Sequence, residues 1–127
     1  MKFQYVTISV SDLQRSRAFY SETLGFRESI QYEQWIGYGL ENDAGFGIIE
    51  DPNLGNRSSL DIINFIVNDL ESLWCKVRNK ATIDTPPQIM PWGTKKFVVL
   101  DPDGMKIAFI EDKRGAEELA DDMHSKE

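Results

Sequence analysis

The chain states nearly the same pattern twice. Ile8-Ser9-Val10-Ser11-Asp12-Leu13-Gln14 returns 57 residues later as Phe65-Ile66-Val67-Asn68-Asp69-Leu70-Glu71. Gly47-Ile48-Ile49-Glu50-Asp51 returns as Ala108-Phe109-Ile110-Glu111-Asp112. Two copies of so long a unit do not make a solenoid array. They predict two similar half-domains packed together around a shared groove. Each half can then be used to locate the groove residues of the other.

At 127 residues the chain fits one domain with a real core. Its 41% hydrophobic and 11% aromatic content argues for a globule rather than disorder. No apolar run approaches the roughly 20 residues that span a bilayer. Met1-Lys2-Phe3 leads straight into a strand-like segment, so no signal peptide is expected. A single cysteine, Cys75, fits a reducing cytosol and forms no internal disulfide framework. The net charge of −7 argues against nucleic acid, because phosphate binding needs a basic footprint. It serves solubility, and it would also attract a cationic ligand.

The pattern along each half reads β-α-β-β-β. Residues 3–10 alternate as a strand. Ser11 and Gln14 fit a capping box. The helix after it places Leu13, Tyr20 and Leu24 on one stripe with Phe19 alongside, and Gly25 suits a left-handed C-cap. Residues 27–51 hold three short strands, with breaks near Tyr32-Glu33, at the glycines around Tyr38, and at residues 41–45. Residues 52–59 form the linker. Strand 60–67 and helix 69–78 repeat the opening, with Leu70, Leu73, Trp74 and Val77 at helical spacing. Thr85-Pro86-Pro87 reads as a stiff loop. Trp92-Gly93 opens the strand Lys95 to Leu100, and Asp101-Pro102-Asp103-Gly104 turns it into strand 105–111. Residues 113–127 are a charged tail, with room for a short helix at Glu117–Met123. The modules are therefore 1–51 and 60–112 of a single domain 1–112, an α+β fold whose curled mixed sheet surrounds the groove.

Several of these segments carry a resemblance: Val10-Ser11-Asp12-Leu13-Gln14-Arg15-Ser16, Phe19-Tyr20, Leu24-Gly25-Phe26, and Pro91-Trp92-Gly93 leading into Leu100-Asp101-Pro102-Asp103-Gly104. In that order and spacing they resemble the vicinal-oxygen-chelate superfamily of glyoxalases, bleomycin-resistance proteins and extradiol dioxygenases. The resemblance covers residues 3–112. It implies paired βαβββ modules and a homodimer. It also implies a metal held by His, Gln or Glu from the first and last strands of each module. Those positions fall at Tyr5 and Ile62 in the first strands and at Ala108 in the last strand of the second module. In the first module the last-strand position is Gly47, or Glu50 if the register is shifted.

A divalent catalytic site needs about three imidazole, thiolate or carboxylate donors. Ile62 and Ala108 have none, Tyr5 is a poor ligand unless deprotonated, and the only histidine, His124, lies in the tail. No metal and no other cofactor is therefore expected. Cys75 sits beside Trp74 on a helix, where a buried inert thiol is the default. No histidine is placed to activate a serine. The acid pairs Glu50-Asp51 and Glu111-Asp112 end matching strands, where solvation explains them. The aromatics say more: Trp35, Tyr38, Trp92 and Phe97 lie on strands or their mouths rather than on the helix stripes. They either fill the core or line an apolar pocket with a few polar handles. Strand alternation puts Ile107 and Phe109 on the helix side, Ala108 and Ile110 on the groove side.

The ligand-binding set expected from these arguments is Tyr5, Trp35, Tyr38, Glu50, Ile62, Trp92, Phe97 and Ala108, with no catalytic residue. The expected function is metal-free binding of a small aromatic or cationic molecule, such as an antibiotic, by a cytoplasmic homodimer. The alternative is a lyase, dioxygenase or thiol transferase of the same superfamily.

Overall fold

The computed structural model describes residues 1–55 and 60–112. The expected tail, its short helix Glu117–Met123, His124 and part of the linker lie outside the described residues. Within them the order is β1 (Tyr5–Val10), α1 (Leu13–Arg17), β2 (Glu28–Tyr32), β3 (Trp35–Gly39), β4 (Gly45–Glu50), β5 (Ile62–Val67), α2 (Leu70–Val77), β6 (Thr82–Ile89), β7 (Lys95–Leu100) and β8 (Lys106–Glu111). The α1 helix continues into one wider π-type turn, Ala18–Thr23. No helix of the described residues is long and apolar enough to cross a membrane.

Both modules fold alike. The first sheet runs β1-β4-β3-β2 and the second β5-β8-β7-β6. In each, the first strand lies parallel to the fourth and the others are antiparallel. Val10 is in register with Glu50, and Val67 with Glu111. The repeat in the sequence is thus a repeat in hydrogen-bond register.

The expected α+β fold of two βαβββ modules is present, each module carrying one open four-stranded mixed sheet, since β1 and β5 pair only inward. Side chains rather than backbone join the modules. Phe26 and Phe46 of the first module pack on Phe65 of the second, at ring-centre distances of 4.8 and 5.5 Å. Phe26 gets there because Gly25, at φ +83°, ends the helical segment in the left-handed conformation and turns the chain back. Leu13, Phe19, Tyr20 and Leu24 are all buried, as their spacing predicts.

A polar clasp crosses the same boundary. The buried Asp101 carboxylate accepts from the Tyr20 hydroxyl at 2.7 Å, and from the backbone N–H groups of Met105 and Asp103 at 2.8 and 2.9 Å. Asp103 in turn accepts from the Ser11 N–H at 3.0 Å and from Arg15 Nη2 at 3.1 Å. Ser11 is therefore not the helix cap. Asp12 is, accepting from the Arg15 N–H at 3.1 Å, as Asp69 accepts from the Ser72 N–H in α2. Two further expectations change. Thr85-Pro86-Pro87 lies inside β6, an edge strand that tolerates prolines at its register shifts. The glycines around Tyr38 lie within β3 rather than breaking it.

Candidate functional site

Alternation sorts every strand residue by face. In the first sheet Ile8, Val10, Ile36, Tyr38, Phe46 and Ile48 are buried in the helix-side core. Tyr5, Thr7, Trp35, Gly37, Gly45 and Gly47 consequently share the opposite, groove face. In the second sheet Ile107 and Phe109 are buried in the helix-side core. Ile62, Asn64, Ala108 and Val98 share the groove face, with Asn64, Ala108 and Val98 in one register row.

The parity decides the open position in the first module. Glu50 points to the helix side, where its Oε1 accepts from the Leu13 N–H at 3.0 Å at the start of α1. A carboxylate there offsets the partial positive charge of the helix end. Because Val10–Glu50 and Val67–Glu111 are equivalent pairs, Gly47 and not Glu50 is the counterpart of Ala108. Glu50→Ala is expected to cost about 1 kcal/mol of stability by removing that cap acceptor, with no effect on any groove ligand. Urea denaturation beside a ligand titration would check both halves of that statement.

Of the expected ligand-binding residues, Tyr5 and Trp35 come together. Their ring centres are 5.6 Å apart and their planes tilt by 40°. Both rings lie over glycines. A Cβ built on Gly37 would meet Trp35 Cη2 at 2.6 Å, and one on Gly45 would lie 3.5 Å from two carbons of the Tyr5 ring. A Cβ on Gly47 would meet the Tyr5 hydroxyl, and Trp35 Nε1 at 2.5 Å. At Gly37 and Gly47 the missing Cβ atoms are the space the rings occupy, while at Gly45 a Cβ would meet the Tyr38 carbonyl oxygen at 2.6 Å. Tyr5 stays 37% exposed, so the platform remains open to a ligand. Partial burial raises the Tyr5 phenol above its ordinary pKa.

Ile62 and Ala108 stand on the groove face of the second sheet. Ile62 also lines a cleft of about 420 Å³ between the facing edges of β1 and β5, with Thr7, Ser9 and Asp61. Tyr38 and Phe97 do not reach the groove. Tyr38 stacks on Phe46 at 4.9 Å and shares a 2.8 Å hydrogen bond with Ser21. Phe97 packs between Trp74 at 5.2 Å and Phe109 at 5.3 Å. Each sits one residue out of phase with the groove positions of its strand. Trp92 is in the turn before β7 and 70% exposed. Sequence reasoning passed over Gly45 and took Gly47 only as an alternative last-strand position; the signal for both was glycine at alternate positions of a strand that runs beside two large aromatics.

A model of the glyoxalase/bleomycin resistance protein/dioxygenase superfamily matches residues 2–109. The chain belongs to that superfamily. Solved glyoxalase-superfamily folds cover nearly all of it. A glyoxalase-related enzyme from Fulvimarina pelagi is 18% identical with a TM-score of 0.75, and the match covers 88% of each chain. A lactoylglutathione lyase from Agrobacterium tumefaciens is 14% identical with a TM-score of 0.71, over 88% of this chain and 94% of that one. A glyoxalase/bleomycin resistance protein from Catenulispora acidiphila is 24% identical with a TM-score of 0.70, over 87% and 99%. At these identities the likeness carries the glyoxalase fold and no activity. No curated protein matches the sequence.

The superfamily implies a metal, and the residues present do not fit one. The four strand positions hold Tyr5, Gly47, Ile62 and Ala108. Three lack any side-chain donor, and the fourth is a phenol, a poor ligand for these ions unless deprotonated. Among the described residues no three His, Cys, Asp or Glu side chains are grouped to hold an ion.

Proposed function

We propose that this chain is a small-molecule-binding member of the superfamily that works without a metal, and that its ligand is a planar aromatic compound. The observation that carries this reading is the Tyr5–Trp35 pair laid on the Gly37, Gly45 and Gly47 floor, where the superfamily would otherwise place metal chemistry. A partly exposed aromatic pair favours stacking, and stacking a conjugated ligand on it needs no ion. The groove face also carries exposed Ile30, Ile49 and Ile66. Apolar area of this kind suits a site closed by a second copy of the chain, so we take the working form to be a homodimer. Antibiotics with planar ring systems, bleomycin among them, are the first compounds to try.

The test is equilibrium binding by calorimetry against a panel of planar aromatics that includes bleomycin. Trp35→Ala should weaken any ligand found by about tenfold, the worth of one stacked ring. A stoichiometric complex without turnover supports the reading. Stoichiometric zinc, nickel, manganese or iron in the purified native protein would overturn it and favour a lyase or dioxygenase.

A further inference from the structure

The two modules are alike in register, but their outer edges differ in chemistry. The outer edge of the first sheet is β2, and that of the second is β6. An unpaired edge presents a row of backbone donors and acceptors, and proteins that stay apart guard it with proline, charge or bulges. The β6 edge is guarded, because Pro86 and Pro87 carry no N–H and its register shifts twice. By contrast, β2 holds no proline and no lysine. Its one shift comes early, between Glu28 and Ile30, and Ile30 to Tyr32 pair regularly with β3. The edges of β1 and β5 face inward, across the cleft of about 420 Å³. That leaves β2 as the unguarded edge on the outside.

What β2 exposes there is apolar. Ile30 is 54% exposed and Tyr32 67%. Both lie on the groove face, since Ile30 pairs with Gly37 and Tyr32 with Trp35. A Cβ on Gly37 would meet Ile30 Cγ2 at 3.0 Å beside the Trp35 ring, so Ile30 borders the platform. The turn Glu33-Gln34 has two residues, so Tyr32 and Trp35 exchange both hydrogen bonds across it. Alternation then points the N–H and C=O of Gln31 outward.

We propose that a second copy of the chain adds its own β2 to this edge, antiparallel and centred on Gln31. Each Gln31 gives and takes one backbone hydrogen bond, and two four-stranded sheets become one with both groove faces on the same side. Ile30 comes opposite Tyr32 of the second copy, twice by symmetry. This apolar pair closes the open side of the Trp35 ring. The charges fit as well. Glu33 becomes the diagonal neighbour of Arg27 of the second copy, about 7–8 Å away and within reach of long side chains. Neither Arg27 nor Glu33 is in an ion pair with another described residue. No like charges stand opposite one another in this register. The inference rests on the reading of the working form as a homodimer and names the edge that joins it.

Sedimentation equilibrium of the full chain, with amide exchange followed by NMR, tests the pairing. The expected result is a concentration-dependent dimer in which exchange of the Gln31 N–H slows as the dimer fills. Gln31→Pro removes that outward N–H and no bond to β3, so it should leave a folded monomer, with circular dichroism unchanged. Arg27→Glu should weaken the dimer about tenfold by setting acid against acid twice. Adding Glu33→Arg to it should bring the affinity back to within about threefold of wild type. That rescue decides the matter even if Gln31→Pro fails to fold. A dimer that neither Gln31→Pro nor the charge reversal weakens would overturn this edge and leave the homodimer. A monomer at every concentration would remove both, with ligand binding in the groove still open to its own test.

Discussion

Replacing Gly47 with valine is expected to abolish ligand binding, with affinity falling at least about a hundredfold, or roughly 2.7 kcal/mol. The reason is spatial. A side chain at this position would start 2.5 Å from Trp35 Nε1 and 2.8 Å from Trp35 Cε2, and would also meet the Tyr5 hydroxyl. Both rings must leave the floor together, so the platform is lost at once. The fold should survive. The collision is with side chains on the open groove face, and overpacking of this kind costs about 1–3 kcal/mol. Gly39→Ala is the matched control, because an added Cβ there finds only Ser29 Cβ at 3.9 Å. Calorimetry on both variants, with circular dichroism to confirm folding, decides the matter. A Gly47→Val protein that binds within threefold of wild type would place the site elsewhere in the molecule.

The contrast between Gly47 and Gly39 marks where the sequence could be read and where it could not. The repeat left Gly47 and Glu50 as alternative counterparts of Ala108, and the paired registers choose Gly47. It also predicted the faces of Ile107 and Phe109, because alternation along one strand is local and strict. Tyr38 and Phe97 fall on the core phase of that alternation. Each is a single strand aromatic whose phase depends on a neighbour's register, and both belong to the core. Trp35 lies three residues before Tyr38, an odd separation, so the two could not share a face. Glu50 presented a different difficulty. A carboxylate that ends a strand and one that caps a distant helix look alike in sequence, since the Leu13 N–H it receives is 37 residues away. Long-range hydrogen bonds of this kind leave no periodic trace. The gap between β1 and β5 was hidden for a related reason. Periodicity tells which face of a strand is apolar, and it does not tell whether two strand edges meet.

The clasp at Asp101 is the other long-range feature, and Asp101→Ala is expected to cost about 2–4 kcal/mol of stability. The carboxylate is only 4% exposed and holds three donors: the Tyr20 hydroxyl and the Asp103 and Met105 N–H groups. Hydrogen bonds to a charged partner are worth more than neutral ones, and buried donors stripped of an acceptor pay their desolvation in full. The loss would spread, because the turn that Asp101 orders also carries Asp103 to Ser11 and Arg15. Asp101→Asn should be milder. Its amide oxygen can still accept from the two N–H groups, and its NH2 can donate to the Tyr20 oxygen. These variants also carry a pH signature. Burial raises the Asp101 pKa above its ordinary value, despite the three hydrogen bonds that pull it down. A raised value means the folded state holds the proton more firmly than the unfolded chain does. The resulting stability is present below the ordinary aspartate pKa of 3.8 and is lost as pH rises through the raised value. The advantage of the wild type over Asp101→Asn should therefore shrink as pH climbs from about 4 toward neutrality. Urea denaturation of both proteins across that range measures it. A gap that widens with pH would mean that the hydrogen bonds, rather than burial, dominate this carboxylate.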